Sequence, residues 1–477
     1  MSYKSDRPSF QERLDHFVSV LRMEILNGIR QEGTYLPSES ALAKQFNLSN
    51  KSIRKGLDQL VEEQLIVKID RVGSMVTPRA KEAITLNFGC PISLPTDFRI
   101  DELISEFSRR NPGIHVRRIT LNHGSYVQSA EEMIANGLLD IVTFNSPQFQ
   151  EWTELGLAPL LEELEPDREL YPIAEEAFQF EGATYAKPVS FSPVVLCYNK
   201  AHFREAGLHE PDSYWTWHDL QNAAAKLAET RGRHGIYFLP TSENRYSVFL
   251  LQGMGNRTNA PGGAVPIDSK VIEGLDTLNG LIASRDVFPN YWAHGNDETV
   301  QLFADGQVSV ILCTYFNLNE FAHLPLEYDI CPLPSLRRGD PQRTLLLSIG
   351  VSLVRHSNAK EAARRFVEFL TSAEAQNLIR DRTVSIPARK ESAERPLGEG
   401  LKRPSRYSMF REMFPSFAYH RDIGLRIDDL RQLTKGLKEY WSGMIDEPEL
   451  HGKLRTLFAP ASVPGGEGRE VPSGERG

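Results

Sequence analysis

Long apolar runs are missing from this 477-residue chain. No window approaches the 18 or so consecutive apolar residues that a membrane span needs, and no apolar stretch follows the charges of the first 17 residues as it would in a signal peptide. A soluble, unexported, cytoplasmic protein with no membrane partner is expected. Cysteine is scarce. Cys90, Cys197, Cys313 and Cys331 are far apart and fit no CxxC or metal-ligand spacing, so buried free thiols are expected rather than a disulfide framework or a metal site. Catalytic signatures are missing as well: there is no HExxH, GxSxG or GxxxxGK[ST], and Gly253-Met-Gly255 lacks the third glycine of a dinucleotide fingerprint. Ser357-Asn-Ala-Lys360 has SxxK spacing but directly precedes a helical stripe, so a capping role is expected for Ser357. No enzyme activity and no cofactor are expected.

An excess of positive charge is also lacking, since 54 Lys and Arg face 63 Asp and Glu for a net charge of −9. That balance excludes a protein that coats nucleic acid along its whole surface. The charge is uneven, however. Residues 1–80 hold 12 basic and 10 acidic side chains, a net of +2, which leaves −11 for the remainder.

What is present begins with an amphipathic stripe. Leu14, Phe17, Val18, Leu21 and Ile25 recur at helical offsets up to Gly28. Ser38 can cap a short helix that turns Leu42, Ala43 and Phe46 inward, with Asn47 as the turn residue behind it. A third helix opens at Ser49, with Ile53, Leu57, Leu60 and Val61 on its buried face. Two short strands, 65–69 and 74–77, then flank the turn Asp70-Arg71-Val72-Gly73. Three helices and a hairpin make a winged helix-turn-helix over residues 10–78. Asn50, Lys51, Ser52 and Arg54 stand in the first turns of its recognition helix, where side chains reach base edges or phosphates, and Arg71 with Gly73 form the wing tip.

This head resembles the DNA-binding domain of the GntR family of bacterial regulators. The resemblance rests on Leu21-Arg22-x-Glu24-Ile25-Leu26-x-Gly28, Leu36-Pro37-Ser38-Glu39-x-x-Leu42-Ala43, Ser49-x-x-Ser52-Ile53-Arg54-x-Gly56-Leu57 and Gly73-Ser74-Met75-Val76. It implies operator DNA as a partner, with Arg54 matching the family's DNA-contacting arginine. The chain departs from the family's usual pattern at Ser40 and Asn50. Because the head is only weakly basic, a homodimer presenting two heads is expected.

A linker is expected over residues 79–84, then an α/β body over 85–458 in which strand-like and helical runs alternate, and a disordered Gly/Pro/Ser tail over 459–477. Several body segments resemble the extracellular solute-binding proteins of ABC importers: Asp140-Ile-Val-Thr-Phe144, Glu154 to Leu161, Glu181 to Pro188, Leu196-Cys-Tyr-Asn-Lys200, Phe203 to Gly207, Phe303 to Val308, and Phe366 to Gln376. The resemblance implies a two-lobed, periplasmic-binding-protein-like fold that closes on a sugar or oligosaccharide. It places Asn145, Phe191, Ser192, Tyr246, Trp292, Tyr315 and Gly350 at loop positions matching the ligand site. Together the two parts imply a ligand-responsive transcriptional regulator. The alternatives are an ABC-importer receptor or a GntR-type regulator with an aminotransferase-like body carrying pyridoxal phosphate.

Overall fold

The computed structural model describes residues 10–458, apart from 28, 32, 64, 70–71, 78–82, 231, 256–268, 292, 294, 397 and 399. Gly28, Arg71, Trp292, most of the expected linker and the 459–477 tail therefore lie outside the described residues. By compactness the chain divides into two units, residues 1–192 with 348–401 and residues 193–347 with 402–477.

The head lies in the first unit. It comprises α1 (Phe10–Leu26), α2 (Glu39–Phe46), α3 (Asn50–Glu62) and the hairpin of β1 (Ile66–Ile69) and β2 (Gly73–Val76), paired antiparallel with Ile69 opposite Gly73. The predicted stripe is its core: Leu14, Phe17, Val18, Leu21, Ile25, Leu42, Ile53, Leu57 and Leu60 are all buried together. Ser38 caps α2 by accepting the Ala41 N–H at 3.2 Å, and Asn47 ends that helix in the left-handed region at φ 53°. Arg22 donates to both carboxylate oxygens of Glu63, at 2.7 and 2.5 Å, and so ties α1 to the end of α3.

Gly56 is what lets α1 and α3 approach. A Cβ there would stand 2.6 Å from Cε1 of Phe17, a fully buried ring. Alanine gains up to about 1 kcal/mol of helix propensity, but overpacking costs about 1–3 kcal/mol. Gly56→Ala is thus expected to destabilise the head, read in the full chain as amide exchange at Leu57 and Leu60 quickened by about 5- to 30-fold. Unchanged exchange would mean that the α1–α3 contact is looser than described.

The rest of the first unit is built on a short parallel sheet. β3 (Ile84–Cys90) lies between β4 (Ile114–Thr120) and β5 (Ile141–Asn145) and is parallel to both. Ile84 pairs with Ile114 as the first residue of β3, so the linker expected to reach residue 84 ends before it. β6 (Gln179–Phe180) and β7 (Ala183–Thr184) form a small hairpin. The next strand, β8 (Lys187–Asn199), is buried over nearly its whole length. It carries the chain from the first unit into the second at Ser192/Pro193.

In the second unit β9 (His234–Tyr237) is parallel to β10 (Val308–Thr314), while β10 and β11 (Tyr328–Cys331) both run antiparallel to the second half of β8. β12 (Thr344–Leu353) returns the chain to the first unit, where Ile349 to Leu353 pair antiparallel with β5. β13 (Ile386–Pro387) pairs with Phe191 and Ser190 of β8, and after a third crossing at Leu401/Lys402 β14 (Phe417–Ala418) pairs with the start of β12. The body is mixed α/β. Parallel pairing runs through β3–β4–β5 and recurs in β9–β10 and β12–β14, while β8 and β12 also take antiparallel partners. The described chain closes on two helices, Ile427–Trp441 and Glu447–Leu457. All four cysteines are free and buried, as the spacing indicated.

Ser357 differs in detail from its expected role. Its hydroxyl accepts the Ala359 N–H at 3.0 Å and donates to Asp140 at 2.6 Å, whereas the N-cap of the Lys360–Thr371 helix is Ala359. The serine is spent on structure and has no nucleophile's surroundings.

Candidate nucleic-acid interface and solute-binding body

The outward face of α3 follows from its cap. Ser49 accepts the Ser52 N–H at 3.2 Å and starts the helix in extended backbone, which points Asn50, Lys51, Arg54, Lys55 and Asp58 to solvent. Ser52 does not join them. It is 5% exposed and its hydroxyl lies 2.7 Å from that of the N-cap Ser49. Arg54 is exposed, and its Nε donates to Glu39 of α2 at 2.6 Å. The guanidinium is thereby held against the start of α2. Gly73 opens β2 at φ 140°, a conformation that favours glycine, with no neighbour within 4 Å of the place a Cβ would take. The opposite strand is moored to α3 by Lys68, which donates to Asp58 at 2.5 Å.

In the first unit of the body, Asn145 ends β5 and caps the next helix: its side chain accepts the Gln148 N–H at 2.9 Å and Gln148 answers at 3.0 Å, a reciprocal capping box. Gly350 lies on the adjacent strand, opposite Phe144. A Cβ at Gly350 would meet the Phe178 ring at 2.7 Å, so this glycine serves close packing. Phe191 is fully buried, edge-on to Tyr171 at 5.4 Å, and Ser192 beside it is equally buried.

In the second unit Tyr246 and Tyr315 are both fully buried. The Tyr246 hydroxyl donates to the Leu430 carbonyl at 2.9 Å, and that of Tyr315 to the Tyr407 carbonyl at 2.9 Å. Burial pushes both phenols well above the ordinary tyrosine range. Both rings are closely packed, and each hydroxyl is spent within its own unit. The pairings within units bring together Asn145 with Gly350 and Phe191 with Ser192, while Tyr246 follows directly on a residue that the sequence did not single out.

That residue is Arg245, 2% exposed, in the first turn of the Glu243–Met254 helix. Its Nε donates to the Leu312 carbonyl at 2.9 Å, and its terminal nitrogens make longer contacts to Asn317 Oδ1 at 3.3 Å and to the Asn244 carbonyl at 3.4 Å. Burial lowers its pKa to about 10, so it is a cation at neutral pH. Among the described residues no helix is long and apolar enough to cross a membrane.

Comparison with known proteins fits both parts. The family model described as bacterial extracellular solute-binding protein matches residues 102–403, and that of bacterial regulatory proteins of the gntR family matches residues 15–76. A binding protein of Brucella abortus is 21% identical over 307 residues, covering 62% of this chain and 73% of the relative. The sn-glycerol-3-phosphate-binding periplasmic protein UgpB of Escherichia coli is 21% identical over 415 residues, covering 78% and 91%. Among solved structures, an ABC substrate-binding protein of Listeria monocytogenes in complex with cycloalternan superposes with a TM-score of 0.68 at 22% identity, over 79% of this chain and 98% of that one. Maltose-bound MalE3 of T. maritima gives 0.69 at 17% identity, over 79% and 99%. These likenesses establish a periplasmic-binding-protein-like fold for the body.

Proposed function

This chain belongs to the bacterial extracellular solute-binding protein family and carries a gntR-family regulatory domain ahead of that body, and from this we propose that it is a cytoplasmic, ligand-responsive transcriptional regulator. The observation that carries the reading is the union in one chain of a folded winged head, with Asn50, Lys51 and Arg54 turned outward, and a body whose relatives bind solutes. In this reading the head over 10–78 holds operator DNA, with Arg71 and Gly73 as its wing, and the body over 85–458 receives a sugar or oligosaccharide. No chemistry on the solute and no cofactor is involved. Two chains place two heads on two half-sites, and the solute alters how they are presented. By linkage, solute and operator must change each other's affinity by the same factor.

The relatives' names narrow the first screen, because the solved neighbours hold cycloalternan and maltose and a curated relative is named for sn-glycerol-3-phosphate. Thermal unfolding of the purified chain against mono- and oligosaccharides is the test. A ligand at 100 times its Kd stabilises by about 2.7 kcal/mol, which is expected as a rise of several degrees. The stabilising sugar is then added to a titration of the chain on duplexes that it selects from a random pool. A solute that raises the melting temperature yet leaves DNA affinity unchanged, over the whole panel, would refute the regulatory coupling. An absorbance band of a lysine Schiff base in the purified chain would overturn the reading of the body.

A further inference from the structure

The last helix of the described chain, Glu447–Leu457, opens on a reciprocal capping box: Asp446 accepts the Glu449 N–H at 2.9 Å, and Glu449 accepts the Asp446 N–H at 3.0 Å. That cap fixes Glu447 in the first turn, and His451, four residues on, stands on the same face. The Ser269–Ala283 helix of the same unit brings Asp276 to this face. Both helices are tied to the Ile427–Trp441 helix between them in sequence. The Trp441 indole N–H donates to Asn279 at 2.9 Å, and Lys453 donates to Glu439 at 2.7 Å.

His451 Nε2 lies 3.8 Å from Asp276 Oδ1 and 4.0 Å from Glu447 Oε1, and the three ligand atoms stand within 4.8 Å of one another. Neither distance is a hydrogen bond. The Nε2 atom is itself buried and has no hydrogen-bond partner, so a ring nitrogen taken out of water is aimed between two carboxylates that it does not reach. Among the described residues no lysine or arginine pairs with either carboxylate. Burial pushes the Asp276 carboxyl up, and the nearby Glu447 and Glu273 push it further, with His451 acting against them.

We propose that Asp276, Glu447 and His451 form a zinc site that fastens the last helix of the described chain to the Ser269–Ala283 helix. A point can be placed within about 2.5 Å of all three atoms, so an inward movement of a few tenths of an ångström brings them to Zn–N and Zn–O distances of about 2.0–2.2 Å. The imidazole decides the class of metal. Mg2+ and Ca2+ take oxygen ligands, whereas an imidazole beside carboxylates suits Zn2+, and a fourth position is left for water. An ion pair between a protonated His451 and one carboxylate would leave the other unmatched, while a divalent ion satisfies all three groups. The ion is structural, and the inference stands apart from the solute reading of the body.

The test is titration of the tag-free, chelator-stripped full chain with Zn2+, Mg2+ and Ca2+. One equivalent of Zn2+ is expected to bind with a Kd of about 1 μM or tighter, and Mg2+ and Ca2+ at least about 100-fold more weakly. Asp276→Asn, Glu447→Gln and His451→Gln should each weaken Zn2+ binding by about 10-fold or more. On the unaltered chain, Zn2+ at 100 times its Kd should slow amide exchange at Leu450 and Leu454 by up to about 100-fold, a reading that needs no variant to fold. No uptake of Zn2+, equal affinity in all three variants, exchange at those amides unmoved by saturating Zn2+, or tighter binding of Mg2+ or Ca2+ would each overturn the proposal. Each of those results leaves the solute reading intact, since that one is decided by the sugar panel.

Discussion

Arg54→Ala is expected to lower affinity for the chain's selected duplexes by about 10- to 100-fold, the worth of one good guanidinium contact to a base or of a charge-assisted contact to phosphate. The two cases separate in salt: loss of a phosphate contact reduces the slope of log affinity against log salt by about one, while loss of a base contact relaxes sequence preference instead. Solute binding should be untouched, since Arg54 belongs to the head. Glu39 adds a control of opposite sign. Its carboxylate holds Arg54 at 2.6 Å, an exposed pair worth little to stability, and it must yield when DNA arrives. Glu39→Gln is therefore expected to tighten DNA binding severalfold, and to lose that effect in an Arg54→Ala background. An Arg54→Ala chain that binds its selected duplexes as tightly as the parent would place the interface elsewhere.

The second large effect concerns acid. His202 is 6% exposed, with Nδ1 3.0 Å from the Ser309 hydroxyl, and burial first, then Arg233, lowers its pKa to about 4. His420 is lowered to about 4 by burial. Both are neutral in the folded chain while their unfolded counterparts take up a proton near pH 6.5. The stability they allow is therefore fully present above pH 6.5 and is lost as pH falls toward 4, by about 3 kcal/mol each at the limit. His115 and His234, also depressed mainly by burial, act in the same direction. Carboxylates such as Glu106, lowered to about 2 by Arg109, lose their contribution only below about pH 4.5. Between pH 6.5 and 4.5 the histidines are opposed only by carboxylates that burial raises, Glu175, Glu374 and Asp276, which take up protons more readily folded than unfolded. The urea midpoint of the chain is expected to fall steadily through this range, and His202→Gln should flatten part of the fall. A midpoint flat from pH 7 to pH 5 would contradict the buried, neutral state of these rings.

The parts of the fold that were legible are those set by neighbours in sequence. Helical stripes, the Ser38 and Ser49 caps and the left-handed turn at Asn47 depend on residues three or four apart, and they stand where periodicity placed them. That the Ser52 hydroxyl turns to Ser49 was not legible even at that range. The surroundings of the aromatic positions were hidden for a longer-range reason. What occupies the Tyr246 and Tyr315 hydroxyls comes from Leu430 and Tyr407, 184 and 92 residues away, and no local pattern announces such partners. Arg245 was invisible as well. A single arginine on a helix carries no signal of the burial it meets in the fold.

The three crossings at Ser192/Pro193, Leu347/Ser348 and Leu401/Lys402 bear on how the chain is made. The head is one uninterrupted stretch, whereas neither unit of the body can be completed from contiguous sequence. On a ribosome adding about 5–20 residues per second, the head can fold while some 400 residues remain to be translated, but β5 must wait for β12, and β8 for β10 and β11. In the proposed reading, a nascent chain presents its winged head for tens of seconds before the solute-binding body exists, so premature termination within the body would release a head with no solute to answer to.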